Sequence, residues 1–493
     1  MAMQAMRMVI DPAFTVGEVD ERLFGSFVEH MGRAVYGGIY EPGHATARQD
    51  GFRRDVLELV RELGVTVVRY PGGNFVSAYD WEDGVGPREQ RPRRLDLAWH
   101  SIEPNEVGTD EFMRWVELAG TQPMLAVNLG TRGIDAARNF VEYCNAPAGT
   151  KYADWRVANG RADPYGVKLW CLGNEMDGPW QVGQKTAVEY GRLAAETGKA
   201  MRWVDPSIEL CVAGSSNSSM PTFGGWEDTV LDLAWDVADY ISLHTYYDPL
   251  KFADVDAYLT CSQDLDRMID TVVATADAVA GRKRSRKRMR ISVDEWNVWH
   301  QTANPHHVGH SGPWKRAPAL AEDEHTVADA LVVGCLLITL LRHADRVKIG
   351  CLAQLVNVIP PIRTLDGGPA WRQTSFFPFA HASRFGRGMV LRLELEDDDL
   401  EATAILGDGA LTIFAVNRSA AAQPLELVVR DLDVSLTEHL VLDGDLAASN
   451  TAEDPDRVTP RSVTGSDLPP RSWNVLRLHF RTGLVRRGTK EEQ

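Results

Sequence analysis

Two glutamates, Glu175 and Glu295, each lie at the end of a short apolar, β-rich segment, within LWCLGNEMDGPW (169–180) and RISVDEWN (290–297). A carboxylate at the end of a buried strand is costly unless other groups use it. Glycoside hydrolysis needs a pair of this kind, with one protonated carboxylic acid for the leaving oxygen and one carboxylate for the anomeric carbon. The first hypothesis from these residues is a glycosidase.

The residues around the two glutamates predict different roles for them. Arg69 and Tyr246 are expected to hydrogen-bond Glu295 and to keep it ionised as a nucleophile. Glu175 follows an apolar run and is close in sequence to Trp180. Partial desolvation there, opposite a second negative charge, would raise the pKa of Glu175 and keep it protonated as the acid.

Eight short apolar segments are predicted to position these groups. They alternate with helical patterns such as 50–64, and their continuous apolar character is typical of parallel strands that are covered on both faces. Eight repeats of strand and helix predict an α/β fold, the (β/α)8 TIM barrel, whose active site lies at the carboxyl ends of the strands. The predicted strands are 23–31, 65–73, 122–130, 167–175, 208–216, 240–247, 290–297 and 347–357.

Polar side chains follow six of these strands. Because the strand ends of a barrel meet on one face, we expect these side chains to form one site, with Glu175 and Glu295 opposite one another. The polar residues at the strand ends are Glu29, His30, Arg69, Asn74, Asn174, Glu175, His244, Tyr246, Asp294, Glu295, Asn297, Gln354 and Asn357.

Aromatic and amide side chains near the same strand ends predict sugar binding. Tryptophan rings stack on the apolar faces of sugars, and amides and carboxylates bind hydroxyls, although each tryptophan could equally be a core residue. The candidates are Trp99, Trp296 and Trp299 for stacking, and Glu29, Asn74, Asn174 and Gln354 for hydrogen bonds.

Composition limits the partners of this chain. A formal net charge of -17 over 493 residues argues against nucleic acid or an anionic membrane surface as a partner. No apolar run is long enough to span a bilayer, and the first residues show no secretory signal, so a cytoplasmic location is expected. The six cysteines are scattered without metal-ligand spacing, and buried reduced thiols are predicted.

Other chemistries have little support in the sequence. The histidines of HQTANPHHVGH (300–310) match no standard metal-ligand spacing and indicate a polar loop. The basic run GRKRSRKRMR (281–290) is interpreted as a solvated loop. HExxH, Walker, GxGxxG and GxSxG motifs are absent, so metalloprotease, phosphoryl-transfer, hydride-transfer and serine-hydrolase chemistry are not indicated.

The sequence pattern changes after about residue 385. Short strands without helical periodicity follow, including a hairpin pattern at 401–419, and predict an antiparallel, jelly-roll-like β-sandwich. The expected domains are an N-terminal strand segment at 1–19 that pairs with the sandwich, the barrel at 20–384, the sandwich at 385–482 and a polar tail at 483–493.

A series of long motifs, in order along the chain, resembles glycoside hydrolase family 51, the α-L-arabinofuranosidases. The resemblance runs from the first strand to the C-terminal sandwich. The motifs are GSFVEHMGRAVYGGIYEP (25–42), RYPGGNFVSAYDWEDGVGP (69–87), GTDEFMRW (108–115), WCLGNEMDGPWQ (170–181), ISLHTYY (241–247), DEWNVW (294–299), AQLVNVIPPI (353–362) and FFPFAHASRFGRG (376–388).

This resemblance implies a retaining, exo-acting enzyme that removes terminal non-reducing α-L-arabinofuranosyl residues from arabino-oligosaccharides. It also implies that no metal or cofactor is needed and that the protein is a cytoplasmic homo-hexamer. The implied roles are Glu175 as acid/base and Glu295 as nucleophile, with Glu29, Asn74, Asn174, Tyr246 and Gln354 holding the furanose ring, Trp99 and Trp299 lining the pocket, and Arg69 and His244 supporting the carboxylates.

Two alternatives stay open at this point. Another retaining glycosidase on the same barrel, such as an endo-glucanase or a xylosidase, would have a cleft open at both ends instead of a closed pocket one sugar deep. A non-catalytic carbohydrate-binding protein would keep the tryptophans but would not need both Glu175 and Glu295. The sequence leaves the preferred linkage and the polysaccharide source open.

Overall fold

A computed structural model describes residues 5–303, 312–395, 399–407 and 409–480. The strands are β1 (Met6–Glu18), β2 (Gly25–Phe27), β3 (Val67–Tyr70), β4 (Arg94–Asp96), β5 (Ser101–Glu103), β6 (Gln122–Val127), β7 (Leu169–Leu172), β8 (Glu209–Val212), β9 (Tyr240–Tyr247), β10 (Arg290–Val298), β11 (Val347–Leu352), β12 (Ile362–Thr364), β13 (Ala370–Arg372), β14 (Met389–Glu394), β15 (Leu400–Gly407), β16 (Ala410–Asn417), β17 (Leu425–Val429), β18 (Val434–Leu442), β19 (Arg461–Ser462) and β20 (Ser472–Phe480). The helices are α1 (Arg54–Leu63), α2 (Thr109–Ala119), α3 (Ile134–Asn145), α4 (Lys151–Ala158), α5 (Ala187–Val204), α6 (Gly225–Ala234), α7 (Val255–Leu259), α8 (Ser262–Arg282), α9 (Val327–Arg342) and α10 (Phe376–Phe385).

Eight parallel strands close into a barrel, which confirms the predicted fold class. Their order around the barrel is β2, β3, β6, β7, β8, β9, β10 and β11, and β11 pairs with β2 to close the ring. Seven of the predicted segments contain one of these strands each, and the eighth, 290–297, ends one residue before β10 does. Strands such as β3 and β7 are buried at every residue, because their side chains pack alternately into the barrel interior and against the surrounding helices.

Helix α1 shows how the sequence pattern produces the outer layer. Its buried residues Val56, Leu57, Val60 and Leu63 recur at helical spacing and face the barrel. The helix ends because Gly64 adopts a left-handed φ of 77°, where its N–H bonds the carbonyl of Val60.

Helix α9 is apolar on nearly every side because it is covered on two sides. It begins with the predicted capping box, in which Thr326 and Asp329 exchange backbone and side-chain hydrogen bonds. One side of the helix packs on the barrel, and the other packs on β15, β16 and β20 of the second sheet. Gly334 allows this close approach, since a Cβ there would lie 2.6 Å from the Trp473 ring.

The second sheet is the C-terminal β-sandwich domain. Its order is β17, β1, β14, β15, β16, β20, β18 and β19, and its pairs are antiparallel except for β1 with β17. That parallel pair arises because β1 comes from the N-terminus and inserts between β14 and β17. Strands β15 and β16 form the hairpin expected at 401–419, although Asp408 and the tail predicted at 483–493 lie outside the described residues.

Several smaller expectations are also answered by the structure. The six cysteines are buried and free, as predicted. Most of the basic run between α8 and β10 is exposed, as expected for a solvated loop. Within the part of the chain that the structure describes, no helix has both the length and the apolar character needed to cross a bilayer.

Candidate active site

A cavity of about 1010 Å³ opens at the carboxyl ends of the barrel strands. Eight of the predicted site residues, from the ends of six barrel strands and the loops that follow them, line this cavity. Three more predicted residues lie directly behind its wall. The lining residues are Glu29, Asn74, Trp99, Glu175, Tyr246, Glu295, Trp299 and Gln354, and the residues behind the wall are Arg69, Asn174 and His244.

Glu175 reaches this cavity through a tight turn after β7. Gly173 has a φ of 81° and Glu175 has a φ of 44°, so the chain leaves the strand in a left-handed conformation. A non-glycine residue in that conformation is strained, and the surrounding contacts must hold it in place. The turn lets Glu175 accept hydrogen bonds from His244 Nδ1 at 2.9 Å and from Trp180 Nε1 at 2.6 Å.

Glu295 is held by two strong donors. Its Oε1 accepts from Arg69 Nη1 at 2.5 Å, and its Oε2 accepts from the Tyr246 hydroxyl at 2.7 Å. The register of β10 against β9 shifts between Ser292 and Glu295, and an irregularity of this kind re-aims a side chain at the end of a strand. Both contacts were predicted from the sequence.

The two carboxyl groups are close together. One ligand-type atom from each of Glu175, His244 and Glu295 lies within 4.8 Å of the others. Such a trio could bind a metal ion, but both ring nitrogens of His244 already face carboxylates, at 2.9 Å to Glu175 and 3.3 Å to Asp294. The donor set therefore fits a hydrogen-bonded network better than a metal centre.

The environment of Glu175 favours its protonated form. Its side chain is buried, with only 8% of the residue exposed. Burial raises the pKa of Glu175, and the negative charge of Glu295 raises it further, whereas the hydrogen bonds from His244 and Trp180 act in the opposite direction. Glu175 therefore has the character of a general acid, while Glu295 has a guanidinium partner that compensates a negative charge.

Asp294 is a member of the site whose function the sequence reasoning missed. It is fully buried, and its carboxylate lies 3.6 Å from Arg69 Nε and 3.3 Å from His244 Nε2. Burial opposes a charge on His244, but the carboxylates of Glu295, Asp294 and Glu175 outweigh this and raise the pKa of His244 to about 10. The available signal was an acidic residue inside an apolar strand, directly before the nucleophile candidate.

Glu29 forms the opposite wall of the cavity. It accepts hydrogen bonds from the Phe75 N–H and from Trp99 Nε1, both at 2.9 Å, and lies 3.2 Å from Gln354 Nε2. Burial and the charge of Glu295 raise the pKa of Glu29 to about 8, although its hydrogen bonds oppose the shift. A Cβ at Gly73 would lie 2.8 Å from the Glu29 carboxylate, so glycine leaves room for this side chain.

The remaining predicted residues form two further contacts around the cavity. Asn174 accepts from Arg69 Nη2 at 2.6 Å and donates to Asn74 Oδ1 at 3.3 Å, which ties the second and fourth barrel strands together. Tyr246 and Trp299 pack edge to face, with ring centroids 5.1 Å apart. These contacts hold amide and aromatic groups in fixed orientations before any ligand binds.

Other residues near the strand ends have structural roles instead. Trp296 is fully buried and does not line the cavity, so its interpretation as a stacking residue was wrong. His30 lies 2.8 Å from Glu103 and from the Tyr70 hydroxyl. The amides of Asn297 and Asn357 bond backbone carbonyls of neighbouring loops.

The histidine-rich loop was expected to be polar and without metal. His300 lies 3.2 Å from Asp329, and its N–H bonds Asp323. The remaining histidines of the loop, His306, His307 and His310, lie outside the described residues.

Known proteins resemble this chain over nearly its whole length. A family model described as Alpha-L-arabinofuranosidase 1 domain matches residues 59–263, and one described as Alpha-L-arabinofuranosidase C-terminal domain matches residues 294–476. An intracellular exo-α-(1→5)-L-arabinofuranosidase of Streptomyces lividans is 54% identical, over 96% of this chain and 75% of the relative. An exo-α-(1→6)-L-arabinofuranosidase of Bifidobacterium longum is 48% identical, over 96% of this chain and 97% of the relative.

Solved structures agree with the sequence comparison. The family 51 α-L-arabinofuranosidase AbfB of Bifidobacterium longum superposes with a TM-score of 0.92 at 44% identity, covering 96% of this chain and 99% of the other. The similarity therefore includes the barrel, the β-sandwich and their arrangement.

Proposed function

The chain belongs to the α-L-arabinofuranosidases of glycoside hydrolase family 51, and we propose that this exo-acting enzyme works by a retaining double displacement. It removes terminal non-reducing α-L-arabinofuranosyl residues from arabino-oligosaccharides. The observation that supports the mechanism is the pair Glu175 and Glu295, whose carboxyl groups lie close together in different electrostatic environments.

In the first step, Glu295 attacks the anomeric carbon and forms a covalent arabinosyl-enzyme while the bond to the leaving oxygen breaks. Glu175 donates its proton to that oxygen in the same step. Arg69 and Tyr246 hold the two oxygens of Glu295, so the nucleophile keeps a fixed orientation towards the anomeric carbon.

In the second step, Glu175 accepts a proton from water, which attacks the anomeric carbon and releases Glu295. His244 lies between the two carboxyl groups, 2.9 Å from Glu175 and 3.6 Å from Glu295. As an imidazolium held by Asp294, it supplies a positive charge next to whichever glutamate is ionised at that stage.

The distance between the carboxyl groups supports retention. Retaining glycosidases separate the two groups by roughly 5–5.5 Å, whereas inverting enzymes need about 6.5–9.5 Å to leave room for water. One carboxyl oxygen of Glu175 lies within 4.8 Å of one carboxyl oxygen of Glu295. The separation therefore lies on the retaining side.

The glycone pocket is proposed to lie mainly on the side of the cavity near the first, second and eighth barrel strands, and residues of the fourth, sixth and seventh strands complete it. Its fixed donors and acceptors match the hydroxyls of a single furanose ring, and its tryptophans limit the size of that ring. The proposed binding residues are Glu29, Asn74, Trp99, Asn174, Tyr246, Trp299 and Gln354, with Arg69 and His244 as supporting residues.

The biological setting forms part of the same proposal. The Streptomyces relative is named as intracellular, which supports a cytoplasmic location. We assign the enzyme to the late stage of arabinan degradation, in which short oligosaccharides are trimmed to the monosaccharide. We also propose that the protein is a homo-hexamer, as the family resemblance implies.

The glycone preference is tested with aryl glycosides that differ only in the sugar. We expect kcat/KM for the aryl α-L-arabinofuranoside to exceed that for the aryl β-xyloside and the aryl β-glucoside by at least about 100-fold, since a six-membered ring would place its hydroxyls out of reach of groups such as Glu29, whose position is fixed by protein hydrogen bonds. Comparable turnover of the xyloside or the glucoside would instead favour another glycosidase on this barrel.

A further inference from the structure

The cavity is much larger than one pentose requires. Its volume of about 1010 Å³ lies at the upper end of the range of ~300–1,000 Å³ that is typical of sites for drug-sized ligands. A single sugar, as expected for a pocket one sugar deep, would therefore fill only part of the cavity. The remaining volume is large enough for a further part of the substrate.

The additional space lies on the side of the acid. Four of the proposed glycone residues, Glu29, Asn74, Trp99 and Gln354, follow the first, second and eighth barrel strands. Glu175 instead follows the fourth strand, and the additional space lies over the fifth and sixth strands, β8 and β9. Those two groups of strands are opposite one another in an eight-stranded barrel. Since the acid donates its proton to the leaving oxygen, the space beside it must receive the leaving group.

We define the outer lobe as the part of the cavity lined by Asn217, Ser219, Lys251, Phe252, Gln263 and Arg267. These residues come from the loop after β8, the loop after β9 and the first turns of α8. None of them belongs to the catalytic group described above.

The outer lobe is preformed and attached to the loop that carries the acid. The N–H and hydroxyl of Ser216 bond the carboxylate of Asp177, which lies two residues after Glu175. The Ser218 hydroxyl bonds Asp264 on α8 at 3.1 Å, and Tyr247 donates to the same carboxylate at 3.2 Å. A surface held in this way binds a ligand without a large cost in loop ordering.

The chemistry of the outer lobe fits a neutral, hydroxyl-rich ligand. Amide, hydroxyl and cationic donors surround a half-buried aromatic ring, Phe252, and the Trp180 ring is 42% exposed at the boundary with the acid. The positive charges of Lys251 and Arg267 are balanced by Asp248 and Asp264, which line the same cavity. An uncharged sugar chain matches this combination better than an anion does.

We propose that the outer lobe binds the second and third sugar units of a neutral oligosaccharide leaving group, so that the enzyme selects for chain length on the reducing-end side. This rests on the proposed function, because the leaving group is defined by the bond that Glu175 and Glu295 break. The terminal arabinofuranosyl unit occupies the glycone pocket, and the chain continues past Trp180 over the start of α8.

The test compares kcat/KM across an aryl α-L-arabinofuranoside and the arabinofuranosyl disaccharide, trisaccharide and tetrasaccharide. For the wild-type enzyme, kcat/KM is expected to rise about tenfold from the disaccharide to the trisaccharide. The double variant Gln263→Ala/Arg267→Ala should lower the ratio of trisaccharide to aryl-glycoside kcat/KM about tenfold. Both positions are exposed on α8, and alanine is a good helix former, so the fold should be retained.

Arg286→Ala is the matched control, since it removes one positive charge from an exposed position outside the cavity and should leave the ratio unchanged. A wild-type profile that is flat with chain length, or a double variant with an unchanged ratio, would overturn the assignment of the outer lobe. Absence of activity on every arabinofuranoside, the aryl compound included, would instead refute the proposed function. A parallel series with arabinosyl-substituted xylo-oligosaccharides shows whether the outer lobe accepts a xylose chain as well as an arabinose chain.

Discussion

Replacing Glu295 by glutamine is expected to lower kcat/KM for an aryl α-L-arabinofuranoside by at least about 10⁴-fold. The amide keeps the shape of the carboxylate, and its oxygen can still accept from Arg69, but it cannot attack the anomeric carbon. The loss should persist for activated substrates, because the covalent step itself is removed and no leaving group compensates for it. Steady-state kinetics with the purified variant measure the effect.

The matched control for this variant is Glu58→Gln, which makes the same chemical change at an exposed position on α1. It should retain the activity of the wild-type enzyme. The thermal unfolding midpoint of Glu295→Gln is needed as well, because Arg69 is fully buried and has Asp294 and Glu295 as its anionic partners. If a folded Glu295→Gln variant kept more than about a tenth of the activity, Glu295 would not be the nucleophile.

Replacing Glu175 by alanine is expected to have an effect that depends on the leaving group. Turnover of an arabino-oligosaccharide should fall by about 10²–10⁴-fold, because the departing alkoxide needs a proton. An aryl substrate with an acidic phenol should form the arabinosyl-enzyme almost normally. Added azide should then accelerate release and give an arabinosyl azide, since this nucleophile attacks the intermediate without a general base.

The same variant should change the pH profile of kcat/KM for the oligosaccharide. Glu175 acts in its protonated form, so activity in the wild-type enzyme is lost as the pH rises through its pKa, and the raised pKa moves that loss to higher pH than an exposed glutamate would show. The alkaline limb should disappear in Glu175→Ala, and an unchanged limb would reject Glu175 as the acid.

The barrel and the carboxylate pair could be predicted from the sequence because both depend on strong local signals. Parallel strands that are covered on both faces need continuous apolar residues, so polar residues at their ends stand out, and Glu175 and Glu295 were identified in this way. Gly64 and the Thr326–Asp329 box set helix ends through backbone geometry that is encoded within a few residues.

The sequence predicted the position of Trp296 wrongly and missed the role of Asp294, and each failure has a specific cause. Trp296 follows Glu295 directly, but the register shift in β10 and the alternation of side chains along the strand direct it into the core. Asp294 was read only as a polar strand end, because its link between Arg69 and His244 depends on contacts between residues that are distant in sequence. No local pattern marks such a contact.

The outer lobe was not predicted, because its shape comes from tertiary hydrogen bonds and not from any motif. Ser218 and Asp264 are far apart in the chain and belong to different βα units, yet their contact determines where the loop after β8 lies. In barrel enzymes the loops after the strands can differ while the catalytic residues stay the same. Such loops therefore determine the length and linkage of the substrate, whereas the catalytic residues determine the reaction.

The central claim is that Glu295 forms a covalent arabinosyl-enzyme, which water then hydrolyses from the face that the leaving group occupied. The first anomer released tests this claim most directly. Proton NMR during hydrolysis of an aryl α-L-arabinofuranoside, recorded before mutarotation equilibrates the product, should show α-L-arabinofuranose as the initial product. Initial accumulation of the β-anomer would show direct displacement by water and would contradict the double displacement by Glu295 and Glu175.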